Sequence, residues 1–559
     1  MRRKKVKNVE VSPDEIFLDS RDLPDFNKQQ FEGRLEKPIP KKTVNFLGIF
    51  FAIIGLIFIC QLFILQIVKG EAYLIRSESN TLDQEPVFSD RGLIYDRNQE
   101  LLVWNSWEDN NRLNSPTRTY ISDSGFAHLL GYVSSPAQDK KGNYWQDIFI
   151  GKDGIEKEYD YLLKGQNGVK IKETDVKGEI QAENIVTPPV AGENLLLSID
   201  KRIQNELYRL IANMAQTADF VGGAGIIMDV SNGELLALTN YPEYNSNILS
   251  KGKDSDKIGT YLTDQRKFFL NRAVSGLYTP GSIVKPFLGY AALNEDVISP
   301  SKLILSNGSI SIPNPYYPEL KSVFKDHGIF GWVDMREAIA VSSDVYFYEI
   351  GGGFEDQKGL GIRKIGDYMK EFGLAQKTGI DLGMEGIGIV PSPEWKEEIF
   401  DGDIWRVGDT YNTSIGQYGF QVTLVQMARA TAGIANDGII PTPHLLLNDK
   451  KEKIILDIDE EKMKVVKEGM REAVTDGTAI ALYLPQVKVA AKTGTAQVGR
   501  GNTNVNSWII GFFPYENPKY SFAVLMERGP KDASGNATRV MRNLIKYIHL
   551  NIPEYLDNL

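Results

Sequence analysis

Three short motifs stand in order along the chain: Ser282-Ile283-Val284-Lys285, then Ser342-Ser343-Asp344, then Lys492-Thr493-Gly494-Thr495. They supply three serines, an aspartate and two lysines, which suffice for acyl transfer through a serine ester without a histidine. A serine hydroxyl needs a neighbouring base, and a lysine serves as that base only when burial or a second cation depresses its pKa. Ser282 and Lys285 share a helix face, so the Lys285 amine is expected to reach the Ser282 hydroxyl. Lys492 is the expected second cation. Ser342 is expected to relay a proton, and Asp344 to stand beside it on the opposite wall of the site. The backbone N–H groups of Ser282 and Thr495 can form an oxyanion hole. The hydroxyls of Thr493 and Thr495 can bind a substrate carboxylate, and Gly494 leaves room for a substrate backbone along the strand edge.

Local context separates these motifs from chance matches. The Ser-x-x-Lys spacing recurs at Ser198, Ser250 and Ser322 among others, and Lys377-Thr378-Gly379 repeats the third motif. Ser198 closes a strand, Ser250 sits in a polar run and Ser322 in a loop of prolines and charges. Only Ser282 follows a Pro-Gly turn and opens an apolar helical run, Phe287 to Leu293, where Pro286 is tolerated in the first turn. An ordinary helix cap is the bland reading both of Ser282 and of Ser342-Ser343-Asp344. The order of the three motifs favours catalysis.

The elements that position these motifs are those of an α/β (α+β) domain. A helix with Ile203, Leu207, Leu210, Ile211 and Met214 on one face precedes a hairpin, Ala224 to Val230 and Glu234 to Asn240, turning at Ser231-Asn232-Gly233. Strand-like runs follow near the C-terminus at 487–496, 507–514 and 520–527, then a helix carrying Val540, Leu544, Ile545 and Ile548. The order predicts an antiparallel sheet flanked by helices from both ends of the domain, with a mostly helical insertion between. Leu195 to Ser198 reads as a strand, and Ile155 to Leu163 as a helix. The Gly/Asn-rich run 498–504 is expected to be a mobile loop that contacts the acceptor strand.

A chain of 559 residues with 42% hydrophobic content can form two or three domains. Its net charge of -10 argues against a nucleic-acid partner. The single cysteine, Cys60, allows no intramolecular disulfide, and the 4 histidines, His128, His327, His444 and His549, lack ligand spacing. No metal and no cofactor is expected. Phe46 to Val68 is uncharged and long enough to cross a bilayer, with Lys41 and Lys42 before it and a basic N-terminus. A single-pass anchor is expected, its N-terminus cytoplasmic and the rest of the chain outside.

Further segments carry a resemblance. Arg91-Gly92-Leu93-Ile94-Tyr95-Asp96-Arg97-Asn98, Gly154-Ile155-Glu156-Lys157-Glu158-Tyr159-Asp160, Asn271-Arg272-Ala273 leading into Tyr278-Thr279-Pro280-Gly281-Ser282, Gly408-Asp409-Thr410 with Ser414-Ile415-Gly416-Gln417, and Lys492 to Gln497 are all similar to segments of one family. Over roughly residues 85 to 548 the chain resembles the class B penicillin-binding proteins, monofunctional transpeptidases of bacterial wall synthesis. Asp344, where many members carry asparagine, and the Gly-Ile-Glu-Lys segment resemble the elongation-type penicillin-binding protein 2; a septal-division role is the alternative.

The resemblance implies the penicillin-binding transpeptidase fold. Its domains would be a cytoplasmic tail at 1–45, the anchor at 46–68, a small β-rich pedestal of dimerisation type at 69–190 with a shortened head between Asn98 and His128, and the transpeptidase domain at 191–559. It implies attack by Ser282 on the penultimate D-Ala of a peptidoglycan stem peptide, resolution by a neighbouring amine, and covalent inhibition by β-lactams. Residues 69–190 are too few for a glycosyltransferase domain, so a membrane polymerase of the RodA or FtsW type is the implied partner. Ile283-Val284 stands where Thr-Phe is common. The competing readings are a D,D-carboxypeptidase or tethered β-lactamase, a β-lactam sensor, and a non-catalytic scaffold. No Glu-x-x-Leu-Asn segment supports the β-lactamase, the tail is small for a sensor, and the intact motifs oppose a scaffold.

Overall fold

The computed structural model describes residues 40–74, 82–107, 115–140, 142–174, 180–314, 316–317, 319–499, 501, 503–533 and 535–556. Most of the expected tail, residues 108–114 of the expected head, and Arg500 and Asn502 of the expected acceptor loop lie outside them. The chain divides into two compact units, residues 1–83 with 172–182 and residues 84–171 with 183–559.

In the first unit, helix Lys41–Phe63 runs on into a wider π turn, Ile64–Val68. These 28 residues contain a long apolar stretch, none of which is buried. At about 1.5 Å per residue the helix exceeds the ~30 Å hydrocarbon core of a bilayer, so it fits a single-pass membrane anchor.

The second unit begins with a small sheet in the order Leu195–Leu196, Ile94–Tyr95, Leu101–Ser106, Thr117–Tyr120. Leu195 pairs in parallel with Ile94, so residues on either side of position 190 share a sheet. Behind it the expected helix at 155–163 is broken into Gly154–Glu158 and Asp160–Leu163. Glu156 accepts 2.6 and 2.7 Å ion pairs from Arg91 and Arg118, and Arg91 also reaches Asp160 at 2.7 Å. Arg91, Arg118 and Glu156 are buried, so the segments beginning at Arg91 and Gly154 meet in one ionic knot. Two cations on one carboxylate, with Asp160 at the rim, offset the desolvation that a lone buried charge would suffer.

The main sheet is antiparallel, in the order Leu235–Tyr241, Gly222–Asp229, Tyr520–Pro530, Asn504–Phe513, Ala490–Val498. Both of its faces are covered, which is why its strands read as nearly continuous apolar runs. On one face Ile227, Ile509, Phe522 and Val524 pack against helices Lys201–Thr217 and Ala537–Asn551. On the other, Ile226, Ile510, Phe512 and Leu525 join a core with Phe287, Leu288 and the wholly buried helix Leu424–Ala435. The two-residue period of a strand divides its side chains between these two cores. The insertion after residue 285 is mostly helical, with two short hairpins, 304–306 with 331–333 and 309–313 with 321–325. Strand Ala490–Val498 pairs on one side only and leaves the other as a free edge.

Candidate active site

Ser282 lies in a single 3-10 turn, Gly281–Val284, that feeds helix Lys285–Asn294. The turn is braced from three sides. Gly281, at φ +61°, donates its N–H to the Gly416 carbonyl at 3.0 Å, which explains the Ser414 to Gln417 segment. Trp508 Nε1 donates to the Thr279 carbonyl at 3.1 Å. The free edge of the sheet presses against the turn at Gly494. A Cβ there would meet Ile283 Cγ2 at 2.8 Å and the Pro280 carbonyl oxygen at 3.0 Å. Gly494 therefore serves the contact between strand and nucleophile turn, a reason for glycine that the sequence did not show.

That contact also orients the edge. A Cβ on Gly281 would lie 3.2 Å from the Thr495 carbonyl oxygen, so this carbonyl faces the turn. In an antiparallel strand one residue's N–H and C=O point to the same side. The Thr495 N–H thus lies on the Ser282 side, and the N–H of Ser282 is among those a helical turn leaves unpaired. The Thr495 side chain is exposed, whereas Thr493 Oγ1 donates to Thr478 Oγ1 at 2.7 Å.

The second motif is a helix junction. Helix Met335–Val341, held at its start by a capping box of Asp334 and Glu337, ends at Ser342 with φ +64°. This left-handed conformation is costly for a residue with a Cβ. Ser343 caps the next helix, Asp344–Gly352, by accepting from Tyr346 N–H. The bland reading therefore holds for Ser343. Ser342 instead turns its hydroxyl to the lysines, 2.8 Å from Lys492 Nζ and 3.3 Å from Lys285 Nζ.

Both lysines are fully buried, and their partners divide their work. Lys285 Nζ donates to the Ser342 carbonyl at 2.6 Å and to Asp344 Oδ1 at 2.6 Å, besides its contact with Ser342 Oγ. Among the described residues it makes no hydrogen bond to Ser282, contrary to the reach expected of a shared helix face. The Ser342 carbonyl and the Asp344 carboxylate draw the Lys285 amine toward the second motif instead. Among the described residues Lys492 Nζ has only Ser342 Oγ and the Thr493 carbonyl, 2.9 Å away. Burial, then the Lys285 charge, hold Lys492 well below the ordinary lysine range, against the pull of Asp344. The expected roles are exchanged: Lys492, expected as the second cation, is the depressed lysine, and Lys285, expected as the base, is the one paired with Asp344.

Two residues that the motif series did not include support Asp344. Burial pushes the Asp344 carboxyl up, but the Lys285 charge and then the His327 contact outweigh it and hold it below its ordinary value. Asp326 accepts from Ser343 Oγ at 2.9 Å, Ser306 Oγ at 3.1 Å and Val345 N–H at 2.9 Å. His327 Nδ1 lies 2.9 Å from Asp326 and 3.8 Å from Asp344. Asp326 and His327 sit in a polar loop with no spacing relation to the motifs, so no sequence signal marks them. Asp326, His327 and Asp344 could together ligate a cation, but Lys285, the imidazole and the serine hydroxyls already occupy their oxygens.

The other matches have structural work. Ser198 Oγ donates to the Leu235 carbonyl, Ser250 Oγ to Tyr120 Oη, and Thr378 Oγ1 to Glu385.

Fold and site together define a serine acyltransferase of the penicillin-binding type. Residues 223–546 match the penicillin binding protein transpeptidase domain, and residues 111–197 the penicillin-binding protein dimerisation domain. The chain belongs to the class B penicillin-binding proteins. Within them it is similar to the peptidoglycan D,D-transpeptidase MrdA of Haemophilus influenzae, 30% identical over 475 residues, which are 78% of this chain and 70% of that protein. The peptidoglycan D,D-transpeptidase FtsI of Escherichia coli is 27% identical over 415 residues, covering 73% and 62%. Among solved structures, penicillin-binding protein PBP2 of Helicobacter pylori, in complex with MreC, is 29% identical with a TM-score of 0.70, over 86% of this chain and 99% of that one.

Proposed function

We propose that this protein is a peptidoglycan D,D-transpeptidase of wall elongation that acts through an acyl ester on Ser282. The observation that carries the reading is the buried convergence of Lys285, Ser342 and Lys492 beside the Ser282 turn. Lys492, whose pKa burial and the Lys285 charge depress, is the base. As Ser282 attacks the penultimate D-Ala carbonyl, its proton passes to Ser342, and the Ser342 proton passes to Lys492. The N–H groups of Ser282 and Thr495 receive the oxyanion, where fixed donors in a water-poor site are most effective. The proton returns along the same path to the departing terminal D-Ala amine. The amine of a neighbouring stem peptide then attacks the ester, gives up its proton and frees Ser282. Lys285 and Asp344 fix the Ser342 junction, and the exposed Thr495 hydroxyl is placed to hold the terminal carboxylate. β-Lactams acylate the same serine.

The elongation role rests on the broader match to MrdA than to FtsI. The basic residues before the apolar helix favour a cytoplasmic N-terminus with the catalytic domain outside. The transpeptidase domain corresponds to residues 191–559 and the pedestal to 69–190. A membrane polymerase of the RodA or FtsW type would supply glycan, and a protein such as the MreC bound to the Helicobacter relative would be a second partner.

Labelling with fluorescent penicillin tests the nucleophile. Ser282→Ala is expected to lose the label while Ser250→Ala and Ser322→Ala keep it. Label persisting in Ser282→Ala would overturn the assignment, and an adduct lost within minutes would favour a carboxypeptidase.

A further inference from the structure

We propose that His327 is a positioning residue of the transfer reaction: its ring bridges Asp326 to Asp344 and supplies the positive charge that keeps Lys492 competent as a base. The inference rests on the assignment of Lys492 made above.

Asp326 gives the bridge a rigid mount. Its side chain is fully buried and is held by Ser343 Oγ, Ser306 Oγ and the backbone N–H groups of His327 and Val345. His327 packs on the Phe330 ring, with centroids 5.1 Å apart, and sets Nδ1 between the two carboxylates. Beyond it runs a continuous polar chain. Asp344 Oδ1 is 2.6 Å from Lys285 Nζ, Lys285 Nζ is 3.3 Å from Ser342 Oγ, and Ser342 Oγ is 2.8 Å from Lys492 Nζ.

The charges of this chain decide its chemistry. Facing His327 are Asp326 from its own loop, Asp344 and Tyr348 from helix Asp344–Gly352, and Lys285 from the nucleophile helix; Lys492 lies beyond on the sheet edge. Tyr348 is neutral, since burial and the two aspartates push its phenol up. With an imidazolium at 327, two anions meet two cations and the cluster is neutral around an uncharged Lys492. Without that charge the cluster is one unit negative and draws a proton onto Lys492. The Asp326 carboxylate 2.9 Å from Nδ1, and then the Asp344 carboxylate at 3.8 Å, raise His327 to about 9, so it is charged at neutral pH. Its half-exposed ring leaves it free to exchange protons with solvent.

The test is the rate of acylation by fluorescent penicillin, measured on the full-length protein in detergent from pH 6 to 10. His327→Gln is expected to be about tenfold slower than wild type at pH 7, the effect of about one unit in the base pKa. Its profile is displaced to higher pH and meets the wild-type curve near pH 10, where His327 has lost its charge and Lys492 is neutral in both. His327→Lys keeps a charge and is expected to restore most of the rate at pH 7. Three results would overturn the proposal: an equal loss at every pH, no loss, or a lysine variant no better than glutamine. Failure of the Lys492 assignment is seen separately, as acylation by Lys492→Met at the wild-type rate, and it would take this proposal with it.

Discussion

Lys492 Nζ lies 2.8 Å from the Ser342 hydroxyl with no carboxylate against it, whereas Lys285 Nζ is 2.6 Å from Asp344. Two lysines in one pocket thus have opposite surroundings: one is paired with a carboxylate, and the other is pushed toward its neutral form. The sign of the pH effect follows. A depressed lysine is active when neutral, so acylation is expected to fall as pH drops through the Lys492 pKa. Lys492→Met should slow acylation by roughly 10²–10⁴ and flatten the profile, the range for loss of a general base. The folded protein also pays to keep Lys492 uncharged, so its contribution to stability worsens as pH falls below the unfolded-lysine pKa. Lys492→Met is therefore expected to gain about 1–2 kcal/mol in denaturant unfolding while losing activity. Lys285→Met is expected to lose both, since it strands the Asp344 carboxylate in a buried site.

At the scale of elements, the site is a junction between a turn and a sheet edge, and its precision depends on how closely they approach. Gly494→Ala adds one methyl group that must displace Ile283 or the Pro280 carbonyl. Overpacking of this kind costs about 1–3 kcal/mol. Acylation should suffer more than the melting temperature, because the displaced atoms carry the Ser282 N–H. Equal acylation by Gly494→Ala and wild type would show that the contact tolerates a Cβ. The sequence identified the helix face and strand that bear the motifs, but the shared-face argument sent Lys285 to the wrong hydroxyl. A 3-10 turn aligns residues three apart even more closely, so the amine is drawn away by the Ser342 carbonyl and the Asp344 carboxylate, partners that local spacing does not reveal.

For the whole molecule, the buried Arg91–Glu156–Arg118 knot secures the N-terminal part of the second unit. Glu156→Gln leaves two guanidiniums short of a counter-charge and is expected to cost about 3–5 kcal/mol. Limited proteolysis should show 84–171 becoming susceptible. Penicillin labelling of the protein that stays folded should persist, because the knot contains none of the acylation residues. Labelling lost in parallel with proteolytic resistance would mean that the catalytic site depends on the knot. The sequence marked Arg91 and Glu156 through two separate segments, yet nothing in it marked Arg118 or joined the three.

The sequence by itself determined the chemistry available: a serine, its two lysines, their order, and an apolar helix ahead of them. Those properties reside in residue types and in short-range periodicity, which the chain carries wherever it folds. Tertiary structure alone decided which lysine loses its charge, why position 494 is glycine, and that Asp326 and His327 stand behind Asp344. Each of these depends on contacts between segments far apart in the chain. A pKa, a close backbone approach and a charge balance exist only once those segments meet and exclude water.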